Sequence, residues 1–157
     1  MINENQSQSS GSDQTPGTSF EPCLSILIAD DNDGVREALV AALRSRGYLA
    51  TGARNGKDAI QKLATMPGPT LIFMDLMMPV MNGWEALEIW SRDPAFSKNK
   101  IVTISAVNLK SRLDARIPKN TVGSLQKPLT VKSVFTLVQE FCGRPVSSSL
   151  SAATVST

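Results

Sequence analysis

Three aspartates, one serine and one lysine stand out because each ends or follows a run of apolar residues: Asp30, Asp31, Asp75, Ser105 and Lys127. A carboxylate beside a buried run is costly unless a partner uses it. Crowded carboxylates repel one another, and Mg²⁺, which prefers oxygen ligands, would neutralise them. Asp75 would then stay ionised and could attack a phosphoryl group to form an aspartyl phosphate. The metal, Lys127 and Ser105 would hold the phosphoryl oxygens.

The elements that must position these side chains alternate between strand-like and helix-like patterns. Strands are predicted at 24–31, 48–53, 70–75, 100–106 and 122–126. Helices are predicted from Asn32 or Asp33 to Gly47, after Asn55-Gly56, over 83–93, around Leu109, Leu113 and Ile117, and from the cap Thr130 to Cys142. This alternation indicates an α/β protein with a parallel sheet and helices on both faces. Ligands of such sheets bind beyond the carboxyl ends of the strands, where the five side chains would converge.

Each of these residues also has an ordinary structural interpretation. Asp30 and Asp31 could simply precede a helix, where acids are favoured. Ser105 could be a loop hydroxyl and Lys127 a solvated surface lysine. Asp75 is harder to dismiss, because an acid at the end of a buried strand needs a partner. The convergence of all five on one edge favours the chemical interpretation.

Composition divides the chain into a folded middle and two polar ends. Residues 1–21 and 144–157 are rich in Ser, Thr, Gln, Asn, Gly and Pro, so we expect disordered tails around a domain at 22–143. The net charge of +2, from 16 basic and 14 acidic residues, favours neither nucleic acid nor membrane as a direct partner. No signal peptide or membrane-length apolar run is present, so we expect a cytoplasmic protein.

Two residue types restrict the chemistry further. The two cysteines, Cys23 and Cys142, form no CxxC motif, and we expect both to be reduced, with Cys142 on a core face. The chain contains no histidine. This excludes histidine-based metal sites, Ser-His-Asp triads and a phosphohistidine carried within these residues.

Four segments make the chain similar to the receiver domains of two-component response regulators: ILIADDN, DLMMPVMNGWE, TISA and LQKPL. The DxxMPxMxG block that begins at Asp75 is the most specific of them, and the spacings between the acids, the serine and the lysine also fit. The resemblance covers about 22–143. It implies a flavodoxin-like (βα)5 doubly wound fold, with a five-stranded parallel sheet and helices on both faces.

The resemblance also implies a role for each site residue. The Mg²⁺ ligands would be Asp30, Asp31, Asp75 and the backbone carbonyl of Met77. Asp75 would be the phosphoacceptor, Ser105 the switch hydroxyl and Lys127 the residue that pairs with the phosphate. The Lys127-Pro128 peptide is expected to be cis.

The resemblance further implies partners. The phosphoryl donor would be a histidine kinase or a histidine phosphotransfer protein, and the output a changed affinity for an unknown downstream protein. Such a domain is not an enzyme beyond promoting its own phosphorylation and dephosphorylation. One departure from the family pattern is Ser124, which stands three residues before the lysine where an aromatic residue is usual.

Other functions remain as alternatives. A non-phosphorylated interaction module or a phosphate sink would keep the fold, although the former would normally have lost one of the acids or the lysine. A haloacid-dehalogenase-like phosphohydrolase needs a second aspartate two residues after its nucleophile, and Met77 occupies that position here. A DNA-binding regulator would need an output domain, which we do not expect 144–157 to form.

Overall fold

The computed structural model describes residues 21–108 and 116–145. Its strands are β1 (Ser25–Ala29), β2 (Ala50–Ala53), β3 (Thr70–Asp75), β4 (Lys100–Ser105) and β5 (Thr121–Gln126). Its helices are α1 (Asp33–Ser45), α2 (Gly56–Leu63), α3 (Gly83–Ser91) and α4 (Val131–Cys142), with a short 3₁₀ helix at Pro94–Lys98. The helix predicted around Leu109, Leu113 and Ile117 falls largely outside the described residues.

The strands form one parallel sheet in the order β2-β1-β3-β4-β5, which confirms the predicted fold class. β3 is central, and its side chains alternate between two hydrophobic clusters. Leu71 and Phe73 pack with α1 and α4 on one face, whereas Ile72 and Met74 pack with α2 and α3 on the other. Helices therefore cover both faces of the sheet and leave its carboxyl edge open.

Several boundaries differ from the prediction. β1 ends at Ala29, so Asp30 and Asp31 lie just beyond the strand rather than within it. α1 is capped by Asn32, one of the two predicted cap residues, because its Oδ1 accepts the Val35 amide at 3.0 Å. The 3₁₀ helix that follows Asp93 was not predicted. Among the described residues, the structure contains no helix that is both long and apolar enough to cross a bilayer.

The start of α3 presses directly on the end of β3. The Gly83 amide donates to the Leu76 carbonyl at 3.2 Å, and this glycine is fully buried. A β-carbon at Gly83 would collide with the Asp75 carbonyl oxygen and would lie 2.9 Å from Leu76 Cα. The glycine that ends the DxxMPxMxG block is thus needed at this position, because the two backbones lie too close for a side chain.

Replacing Gly83 by alanine should therefore destabilise the protein, by about 1–3 kcal/mol if the clash behaves like overpacking in a core. The matched control is Gly34→Ala. Gly34 is an exposed residue of α1 whose nearest neighbour to an added β-carbon is 3.5 Å away. That control should be neutral or stabilising by up to about 1 kcal/mol. Urea unfolding of the two variants provides the comparison, and equal stabilities would contradict the assigned contact.

Candidate functional site

The five predicted side chains lie together at the carboxyl edge of the sheet. Asp30 and Asp31 follow β1, Asp75 is the last residue of β3, and Ser105 is the last residue of β4. Lys127 follows β5 directly. These strands are neighbours in the sheet, so the strand order delivers all five groups to one place.

The three aspartates form a compact cluster of oxygen atoms. One carboxylate oxygen from each of Asp30, Asp31 and Asp75 lies within 4.8 Å of the others. Asp30 and Asp75 are each only 1% exposed, whereas Asp31 is exposed. The cluster therefore combines two buried carboxylates, of Asp30 and Asp75, with the solvent-exposed carboxylate of Asp31.

Lys127 provides the compensating charge. Its Nζ lies 2.6 Å from Asp75 Oδ2 and 3.6 Å from Asp30 Oδ2. The lysine side chain is 33% exposed, so its ammonium reaches inward from the rim of the site. A single cation thus contacts both buried carboxylates.

Backbone amides fix the orientation of the same two carboxylates. Met77 N donates to Asp75 Oδ1 at 3.0 Å, and Asn32 N donates to Asp30 Oδ1 at 2.9 Å. Each amide comes from two residues further along the chain. Amide donors of this kind hold a carboxylate in one rotamer and favour its ionised form.

Burial and charge act in opposite directions on the ion pair. Burial raises the pKa of Asp75 above its usual value, and this outweighs the hydrogen bonds from Lys127 and Met77 N that lower it. For Lys127, burial lowers the pKa, but the hydrogen bond and charge of Asp75, with Asp30 and Asp31, raise it overall. The lysine therefore stays protonated. One ammonium group faces three carboxylates, so the site can accept further positive charge.

The donor set fits a hard divalent cation. Three carboxylates supply oxygen ligands, and one of them is open to solvent, which suits an ion such as Mg²⁺ that keeps several waters. Met77 follows Asp75 closely, and its backbone is already tied to that carboxylate. Its carbonyl remains an expected ligand.

Ser105 is engaged with its own loop. Its Oγ accepts the Val107 amide at 3.1 Å, and the side chain is nearly buried, whereas Val107 is 64% exposed. The Lys127-Pro128 peptide that follows β5 is cis, as the resemblance implied.

Sequence reasoning missed two features that support the site. Arg36 Nη1 donates to the Asp30 carbonyl at 2.9 Å, and its Nη2 pairs with Asp33 at 2.6 Å. This arginine therefore holds the backbone of Asp30 in place. The i,i+3 spacing of Asp33 and Arg36 on α1 was the available signal. Val80 has a positive φ of 70° at the centre of a γ-turn, in which Met81 N donates to the Pro79 carbonyl at 2.8 Å. A β-branched residue rarely adopts this conformation, so the sequence contains no signal for it.

Comparisons with known proteins agree with this geometry. Residues 26–139 match the family model of the response regulator receiver domain. The chain is 35% identical over 112 residues to the chemotaxis protein CheY of Treponema pallidum (strain Nichols), covering 69% of this chain and 76% of that protein. It is 28% identical over 109 residues to the two-component response regulator ORR11 of Oryza sativa, covering 69% of this chain and 74% of that protein.

A similar solved structure is the CheY-like receiver domain protein from Methanospirillum hungatei JF-1. It aligns with a TM-score of 0.61 and 26% identity, covering 76% of this chain and 94% of that one. The strand order, the aspartate cluster with Lys127 and the family match all lead to one assignment. This chain belongs to the family of response regulator receiver domains of two-component systems.

Proposed function

We propose that this receiver domain accepts a phosphoryl group on Asp75, in a Mg²⁺-dependent reaction, from a histidine kinase or a histidine phosphotransfer protein. The observation that carries the proposal is the environment of the Asp75 carboxylate. It is buried at the end of the central strand, paired with Lys127 at 2.6 Å and clustered with Asp30 and Asp31. A structural acid would need the lysine but not two further carboxylates.

In the proposed reaction an oxygen of Asp75 attacks the phosphorus atom of the donor. The new O–P bond forms as the P–N bond of the phosphohistidine breaks, and the imidazole leaves with that electron pair. Lys127 transfers its hydrogen bond from the carboxylate to a phosphoryl oxygen, which stabilises the charge that develops there. Ser105 would donate its hydroxyl proton in a hydrogen bond to another phosphoryl oxygen.

Asp30, Asp31, Asp75 and the Met77 carbonyl would hold the ion. When bound, Mg²⁺ supplies positive charge that keeps the carboxylates ionised and neutralises the phosphoryl oxygens. The histidine that gives up the phosphoryl group must lie outside these 157 residues, since the chain contains none. Association with a histidine-bearing protein is therefore part of the proposal.

The output would be a changed affinity for another protein. Movement of Ser105 toward a phosphoryl group would be passed to the loop 106–108 through the Val107 amide that its Oγ now binds. Ser124 is exposed on β5, beside Thr103 in the sheet register, and it cannot fill the space that an aromatic side chain would. We therefore expect the signal to leave through the loop rather than through a side chain on β5.

Asp75→Asn should abolish phosphorylation. The full chain is incubated with acetyl phosphate and Mg²⁺, and the gain of one phosphoryl group is read by intact mass. Glu37→Gln is the matched control, because Glu37 is an exposed acid of α1 that lies outside the cluster. The wild type and this control should be modified, and chelation of the metal should prevent both reactions. A phosphoryl adduct on Asp75→Asn at the wild-type level would contradict the proposal.

Mg²⁺ affinity should depend mainly on Asp31 and Asp75, with Asp30 acting partly through water. Asp30 already uses its two oxygens toward Asn32 N and Lys127, whereas Asp31 is exposed. Asp31→Asn should weaken binding by at least about tenfold, since even the outer partners of metal ligands cost that much. Calorimetric titration measures this, with Glu37→Gln again as the control. Unchanged affinity in Asp31→Asn would refute the assignment.

The phosphoryl group should hydrolyse slowly, because the mouth of the site is apolar. Met77 is 69% exposed and Val107 is 64% exposed, and neither can orient an attacking water. Met77→Gln or Met77→Glu should speed the loss of phosphate at least about threefold by orienting a water. Met77→Leu should behave like the wild type. Decay is followed by phosphorus NMR, and wild-type rates in both polar variants would disprove this explanation.

A further inference from the structure

A second group of reactive side chains lies at the amino edge of the sheet, opposite the phosphoacceptor. Cys23 precedes β1, Lys100 begins β4 and Cys142 ends α4. All three are nearly buried, at 5%, 9% and 7% exposure respectively. The sequence predicted two unrelated reduced cysteines, and the structure does contain two free thiols, but it brings them together.

The backbone holds the two cysteines side by side. Cys23 N donates to the Phe141 carbonyl at 3.0 Å, so the chain before β1 runs against the last turn of α4. Both side chains are buried in the same hydrophobic cluster, and each thiol affects the pKa of the other. This contact joins residues that are far apart in sequence.

Lys100 completes the group. Its Nζ lies 3.9 Å from Cys23 Sγ and 3.2 Å from the Glu21 carbonyl. An ammonium buried beside a sulfur favours a thiolate, which is the reactive form of cysteine. It also opposes the binding of a metal cation at the same sulfur. The arrangement therefore suits redox chemistry better than metal coordination.

The two sulfurs are electrostatically different. The hydrogen bond from Cys142 lowers the pKa of Cys23, and with the charge of Lys100 it outweighs the burial that raises it. The same hydrogen bond raises the pKa of Cys142, and burial adds to this effect. Cys23, whose Sγ lies beside the Lys100 ammonium, is therefore assigned as the nucleophile, and Cys142 as the thiol that reacts second. Tyr48 is a further titratable group nearby, and its hydroxyl donates to the Gly143 carbonyl at 2.8 Å.

We propose that Cys23, Cys142 and Lys100 form a redox modification site that a hydroperoxide converts into an intramolecular disulfide. The Cys23 thiolate attacks one peroxide oxygen, the O–O bond breaks, and a proton completes the alcohol or water that leaves. The resulting Cys23 sulfenic acid is attacked by the Cys142 sulfur, which loses its proton as water departs. In total, two thiols and one hydroperoxide give one disulfide, one water and one alcohol or second water.

The disulfide would link the start of β1 to the end of α4. It would close a loop that contains almost the whole described domain, and such long loops gain most from cross-linking. α4 begins just after Lys127, so the link would restrain a helix whose other end adjoins the phosphoacceptor site. Oxidation would therefore hold α4 on the sheet without altering the residues that carry the phosphoryl chemistry.

The test uses the reduced full chain treated with hydrogen peroxide. Non-reducing peptide mapping should show Cys23 joined to Cys142 within one molecule, and intact mass should fall by two hydrogen atoms. The oxidised protein should also unfold at a higher temperature than the reduced one. In Cys142→Ser the reaction should stop at a Cys23 sulfenic acid, which dimedone traps, whereas Cys23→Ser should react much more slowly.

The contribution of the lysine is tested separately. Lys100→Met should slow disulfide formation roughly threefold to tenfold, since the thiolate is the reacting species. Lys100→Arg should restore part of the rate. Lys98→Met is the matched control, because Lys98 is an exposed lysine two residues away, and it should react like the wild type.

Three results would overturn the proposal, and mapping of the wild type alone can give the first two, even if a variant fails to fold. These are free thiols that persist in peroxide, disulfides between molecules only, and oxidation that begins at Cys142. Acetyl phosphate modification of Asp75 is measured on the same samples. The two sites lie at opposite edges of the sheet, so failure at one is distinguishable from failure at the other.

Discussion

The ion pair between Lys127 and Asp75 is the interaction on which the site depends. The carboxylates of Asp30 and Asp75 are buried side by side, and burying two charges of the same sign is costly without a compensating cation. Lys127 contacts both, at 2.6 Å and 3.6 Å. Loss of the lysine would leave the buried Asp75 carboxylate without its charged partner. The edge strand β5 thus does more than extend the sheet, since it carries the charge that the central strand requires.

The register of the sheet sets the distances between these groups. Ala29 pairs with Met74, and Asp75 pairs with Ile104. Asp30, Asp75 and Ser105 each lie within one residue of these paired positions, so the site residues of neighbouring strands are at nearly the same level. Parallel neighbours lie about 4.8 Å apart, which is the scale of a metal site. The acid cluster is therefore held by backbone hydrogen bonds between strands, and the side chains need only short reaches.

The fold, and the convergence of the five side chains at one edge of the sheet, were largely predictable because both depend on simple patterns. The apolar run 71–74 that ends in Asp75 indicated a buried strand at 70–75 with a reactive residue at its end, and β3 has those bounds. Contacts made only by the folded chain could not be predicted. The collision that excludes a β-carbon at Gly83, the positive φ of Val80 and the approach of Cys23 to Cys142 depend on tertiary packing rather than on local pattern.

The first turn of α3 contains a tryptophan whose fluorescence depends on the structure near Asp75. Trp84 follows the glycine whose amide binds the Leu76 carbonyl, and the Arg116 guanidinium lies over its ring, 4.4 Å from the centroid. Indole emission depends on the charges near the ring, and the second tryptophan, Trp90, stacks on Phe96 in the core. A shift of the backbone after Asp75 would therefore change the fluorescence of Trp84 more than that of Trp90. The chain thus contains an intrinsic fluorophore one residue from the contact that links α3 to the chemistry of β3.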